Sequence, residues 1–168
     1  RYRATPGDDP QASRWTGAAP GDGNRLLTGL YLPAAATNES ALWWDHLRRS
    51  GFLSGSGVSN PSNAFNGVLG VQTGDGTGTI GATPTNPGAT LGGFTALIMC
   101  SSNLPDKVAI ALDVQMDDGL LSQGFVRGKE GTGTVAMTTG TVATSPSYVE
   151  DGVPFYTPCR QFSPPSAQ

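Results

Sequence analysis

Glycine and proline occupy 37 of the 168 positions, 24 and 13 respectively, and residues that interrupt helices and strands at that density constrain the fold more than any other feature of the chain. A long helical bundle, a coiled coil and an all-helical repeat are excluded. What remains is a set of short elements joined by long loops. Three Trp, six Phe and four Tyr supply the bulky apolar groups that a disordered chain lacks. The length suits a single globular domain, residues 1–168, built on one modest core.

Ten Lys and Arg stand against thirteen Asp and Glu, a net charge of -3. The basic residues are scattered apart from Arg48 and Arg49, so the charge indicates no nucleic-acid partner. The longest largely apolar run, Phe94 to Cys100, has the length of a strand and not of a membrane span. Cys100 and Cys159 are the two cysteines and belong to no CxxC or Cys/His cluster, which excludes the common zinc frameworks. They are either paired in a disulfide or present as two buried thiols. A chain rich in Gly and Thr with loops this long suits an oxidising compartment, where the pair forms.

Residues 5–36 carry two turn-forming stretches, PGDDP and PGDGN, with Trp15 as an apolar plug between them, and read as a long loop. At residues 37–51 Asn38 offers a cap, Trp43, Trp44 and Leu47 recur at helical spacing, Arg48 and Arg49 fall in the last turn, and Gly51 ends it. These signals predict a short amphipathic helix. The sheet is expected within 64–158. Two strands, Val68 to Val71 and Phe94 to Cys100, flank a polar excursion over 73–90, and weaker strands are expected at Phe125 to Arg127, Thr134 to Met137 and Val153 to Tyr156. A second helix is predicted over 104–117, capped by Ser102 or Asn103, with Pro105 in its first turn and Gly119 as its stop. Its apolar face would carry Val108, Ala111, Leu112 and Gln115. The tail at 163–168 reads as loose. The class is α+β with an antiparallel sheet.

Chemical motifs are sparse. The single histidine, His46, has no second histidine to share a metal or relay a proton, so a helix-surface or interface role outweighs a catalytic one. GxSxG, HExxH, Walker A and paired-acid patterns are absent, and GDGTGTIG, with Gly74, Gly76 and Gly78, lacks the lysine of a phosphate loop. Asn38-Glu39-Ser40 matches a glycosylation sequon but also makes an ordinary helix start, which is the favoured reading. Calcium wants several closely spaced oxygen ligands, and three places qualify in part: Asp8 with Asp9, Asp22 with Asn24, and Asp113 with Asp117 and Asp118. None has EF-hand spacing, and Asp capping of local turns accounts for the same residues.

The motif order is RYRATPGDDP, a GDGN turn, ESALWWDHLRRSGFLSG, PSNAFNGVLGVQ, a strand ending at Cys100, LPDKVAIALDVQMDDG with GFVRG, and YTPCR. This order resembles the globular domain of bacterial type IV pilin-like (prepilin-type) proteins. The likeness covers most of the chain, while Thr73 to Thr90 and Gly131 to Ser147 match nothing in that pattern. It implies a pilin-like roll, with an antiparallel sheet packed on an amino-terminal helix whose last turn is residues 1–4. It further implies a hydrophobic anchor upstream, held in the inner membrane until assembly, with the globular domain in the periplasm and later on an extracellular filament. The expected partners are other pilin subunits and the inner-membrane assembly machinery. The expected role is that of a major or minor subunit of a pilus or a secretion pseudopilus, without enzymatic activity or a required cofactor. The alternative is a secreted or filament-tip binding module for a glycan, a surface or calcium, with Trp15 and Tyr148 as candidate stacking aromatics.

Overall fold

The computed structural model describes residues 12–74, 91–135, 137 and 147–162. A 3-10 turn at Ala12–Trp15 is followed by α1 (Glu39–Arg49), β1 (Leu69–Thr73), β2 (Leu97–Ser101), β3 (Leu104–Pro105), α2 (Asp106–Met116), β4 (Val126–Glu130) and β5 (Phe155–Phe162). All strand pairings are antiparallel, in the order β1-β2-β5-β3 with β4 also on β5. The α+β class with an antiparallel sheet is therefore what the chain adopts. The expected anchor-helix end at 1–4 and the tail at 163–168 lie outside the described residues, as does the excursion from 75 to 90.

The centre of the sheet is its last strand. Only Val153 to Tyr156 reads as a strand in the sequence, because Pro158 breaks the pattern of FYTPCRQF; the sheet in fact continues to Phe162. Gln161 N donates to Phe125 O and Gly131 N to Phe155 O, so the odd-numbered residues of β5 bond toward β4 and Pro158 faces the opposite flank. On that flank the register passes from Cys100↔Cys159 to Leu104↔Tyr156, leaving Ser101 to Asn103 bulged opposite Thr157 and Pro158. The missing proline N–H therefore falls where no ladder bond is made. Asn103 holds the bulge at φ 59; its Nδ2 donates to Phe65 O and its Oδ1 accepts from Gly133 N.

The same register places Cys100 opposite Cys159 in a non-hydrogen-bonded pair, the arrangement in which facing side chains stand closest. The two form a disulfide, with Cα atoms 4.0 Å apart. Ile98, Cys100 and Cys159 lie on one face of the sheet, packed with Tyr31, Leu91, Phe94 and Met137. Leu104 and Tyr156 lie on the other face with Ala109 and Leu121. Among the described residues the sheet thus separates two small clusters. Met137 is fully buried, but among the described residues of the expected strand at 134–137 none is in a strand.

Both helices lie where the sequence puts them, with different ends. Asn38 occupies the N-cap position of α1 without a side-chain cap bond. The cap comes from the long loop instead: Thr28 Oγ1 accepts from Glu39 N at 3.2 Å and Thr28 O from Ser40 N at 3.1 Å. In α2, Leu104 and Pro105 belong to β3, so neither Ser102 nor Asn103 is the cap. Ser102 Oγ accepts from Val68 N, and Asn103 holds the bulge. The buried residues of α2 are Asp106, Ala109 and Asp113, with Val108 and Leu112 packed beside them. Ala111 and Gln115 are exposed, because β3 and β5 meet the helix about one position round from the expected stripe.

Candidate functional site

Asp113 is fully buried on the last turns of α2. Its Oδ2 accepts from Tyr148 Oη at 2.8 Å and its Oδ1 from Gly119 N at 3.2 Å. Burial, more than these bonds can offset, pushes its carboxyl up to about 6. Asp117 and Asp118 follow where α2 stops and Gly119 turns the chain at φ 75. Oxygens of the three carboxylates lie within 4.8 Å of one another, a spacing that one cation could bridge.

Each carboxylate also has a structural partner. Asp117 Oδ2 accepts from Val126 N at 2.8 Å and from Phe125 N, and Asp118 Oδ1 accepts from Leu120 N at 2.9 Å. Val126 N and Gly128 N point away from β5; Asp117 takes the first and Leu121 O the second. The turn after α2 therefore closes the outer edge of β4, which would otherwise offer a row of free amides. Gly124 makes this possible: at φ 67 it lies against the Asp117 carboxylate, and a Cβ there would collide with it.

The other expected acidic places behave differently. Asp8 and Asp9 lie outside the described residues. Asp22 Oδ1 accepts from Asn24 N, Asp22 Oδ2 from Asn24 Nδ2, and Asn24 Oδ1 from Leu26 N, which is turn chemistry. Glu39 ties this loop to α1, accepting from Asp22 N on Oε1 and Thr28 N on Oε2. His46 is not on the helix surface: it is buried, with Nε2 2.9 Å from Ala19 O and its ring edge-on to Trp15 at 5.7 Å. Tyr148 stands edge-on to Tyr156 at 4.9 Å. Both candidate stacking aromatics are thus engaged within the fold.

Sequence reading missed one feature. A groove of about 290 Å³ opens between α1, the loop at 21–27 and the ends of β1 and β2. Leu26, Leu27, Leu42, Trp43 and Leu97 line it, with Glu39, His46 and Thr73 among the polar residues. Glu39 and Thr73 already hold the loop, Thr73 Oγ1 accepting from Leu27 N at 2.8 Å. The signal was the leucine-rich RLLTGLYLP inside a segment that otherwise reads as a polar loop. Among the described residues no helix is long and apolar enough to cross a membrane. Comparison with protein-family models, with curated proteins and with solved structures returns no match.

Proposed function

We propose that this chain is the globular domain of a pilin-like filament subunit, a structural protein without catalytic activity. The observation that carries the reading is the end of the motif order: YTPCR supplies the central strand of the sheet, fastened by Cys159 to the strand that ends the first half of the pattern. Loops decorating a small sheet with a covalently held last strand suit a packing unit. His46, the one histidine, is committed to Ala19 and Trp15. In this reading the subunit is anchored in the inner membrane before assembly and joins other pilin subunits in the filament.

The test is the coding sequence immediately upstream of Arg1. A short basic leader ending in glycine, followed by Phe and about twenty apolar residues with a glutamate near their start, is expected. An ordinary cleavable secretory signal abutting Arg1 would overturn the single-chain account. A second reading, a binding module, is favoured by the apolar groove beside Trp43. Saturable quenching of tryptophan fluorescence by a glycan or small apolar ligand, lost in Leu26→Asp, would support it.

A further inference from the structure

Cys100 and Cys159 have no exposed surface, and what lies over them is unusual in origin. Residues 21–36 form a strap, most of which is exposed, yet Tyr31 within it is completely buried and belongs to the cluster around the disulfide. Tyr31 N donates to Gln72 Oε1 at 2.9 Å and Asn60 Nδ2 donates to Tyr31 O at 2.7 Å. Tyr31 Oη donates to Val135 O. Gly70 is adjacent to Cys100 across the β1–β2 ladder, and a Cβ there would strike the Tyr31 backbone. The strap is thus seated on the disulfide's face of the sheet by Tyr31, which packs there beside Leu91, Phe94 and Met137, while Glu39 and Thr73 hold its first half at Asp22, Leu27 and Thr28.

We propose that the Tyr31 strap is a lid that gates the redox chemistry of the Cys100–Cys159 bond, so that the bond is made or broken only when this segment lifts, while the rest of the sheet stays folded. Thiol–disulfide exchange needs a thiolate to reach one sulfur of the bond, and access limits it. With the lid open, a dithiol's thiolate attacks one sulfur, forming a mixed disulfide and expelling the other cysteine as a thiolate. The dithiol's second thiolate then releases the first cysteine, leaving two protein thiols and the reagent oxidised. Oxidation runs the same steps in reverse, with a disulfide oxidant as electron acceptor. A mostly exposed strap, held by separate side-chain and backbone bonds and not by a continuous strand ladder, opens at lower free energy than the sheet.

The experiment is reduction of the folded protein by dithiothreitol in a series of low urea concentrations, quenched by alkylation and read by intact mass. The expected rate is well below that of the urea-unfolded chain and depends on urea far more weakly than global unfolding does. Gln72→Leu, which removes the acceptor for Tyr31 N, is expected to speed reduction roughly tenfold, the effect of one lost buried hydrogen bond on the open population. Asp106→Asn, which loosens the opposite face of the sheet, is expected to change it by less than about twofold. The proposal is overturned if reduction follows the urea dependence of global unfolding, if both variants accelerate it in proportion to their loss of melting temperature, or if the native and unfolded chains reduce equally fast. Should Gln72→Leu fail to fold, the urea series on the unaltered protein decides alone.

Discussion

Replacing Asp113 by Asn removes a charge that the fold holds at a disadvantage while keeping nearly the same shape. The carboxyl is buried and its pKa stands at about 6, raised from 3.8 chiefly by burial, with Asp118 and Asp117 adding repulsion. An acid whose folded pKa lies above its unfolded value contributes most stability below the unfolded pKa and loses that contribution as pH rises through the folded one. The Asp113 contribution is therefore full below pH 4, declines between about 4 and 6, and is gone at pH 7.5. A shift of this size corresponds to about 1–3 kcal/mol, the lower figure allowing for solvent screening around the exposed Asp118. At pH 7.5 Asp113→Asn should raise the melting temperature, by about 2–4 °C per kcal/mol for a domain of this length. At pH 4 the two proteins should melt within about 2 °C of each other. Circular dichroism melts from pH 4 to 8 measure both. A wild-type melting temperature that falls steadily from pH 7.5 to 5, or an Asn variant no more stable at pH 7.5, would refute the reasoning.

The disulfide closes a loop with a sequence separation of 59, so Cys100→Ala with Cys159→Ala should cost about 4 kcal/mol by chain entropy; a urea-unfolding change under about 1 kcal/mol would contradict this. Alkylation of the denatured, unreduced chain should find no free thiol. Gly124→Ala places a Cβ against Asp117 in a left-handed backbone conformation, and a loss of about 1–3 kcal/mol is expected in chemical denaturation. Thr28→Ala removes the side-chain cap of α1 and should cost about 0.5–2 kcal/mol, whereas Asn38→Ala should cost less in the same melts. Calcium titration should raise the melting temperature by only a few degrees, about what weak occupancy gives; a rise of about ten degrees that vanishes in Asp117→Ala would show the acidic cluster to be a built ion site.

Much of this fold is legible because local chemistry and tertiary placement agree. α1 announces itself through Trp43, Trp44 and Leu47 and through Arg48 and Arg49 at its end, although the face it buries carries Ala41, Leu42 and Trp44 while Trp43 and Leu47 are only half-buried, and β2 announces itself through the apolar LIMC. The second helix is equally legible, but its start is not, since Leu104 and Pro105 pair with β5, a partner about fifty residues away. The same reason hides β5: Pro158 is tolerated only because β2 and β3 bulge opposite it, which no local pattern reports. Asp113, Asp117 and Asp118 are visible as an acidic cluster, yet the task of Asp117 in closing the edge of β4 depends on where Val126 N points. The groove eludes sequence reading because Leu26 and Leu27 sit among turn residues and acquire a common surface only when Glu39 draws the loop onto α1.

The position of β5 also sets a timetable for the newborn chain. During synthesis β2, β3 and β4 all emerge before the strand that joins them, and β2 and β4 have no ladder with each other. Until residues 155–162 leave the ribosome or translocation pore, each must wait with one flank unfilled and exposed to wrong pairing. A stop codon only a few codons before Phe155 would therefore remove the middle of the sheet and not its margin. Such a truncated product should be cleared or aggregate, whereas loss of the residues after Phe162 leaves every described strand in place.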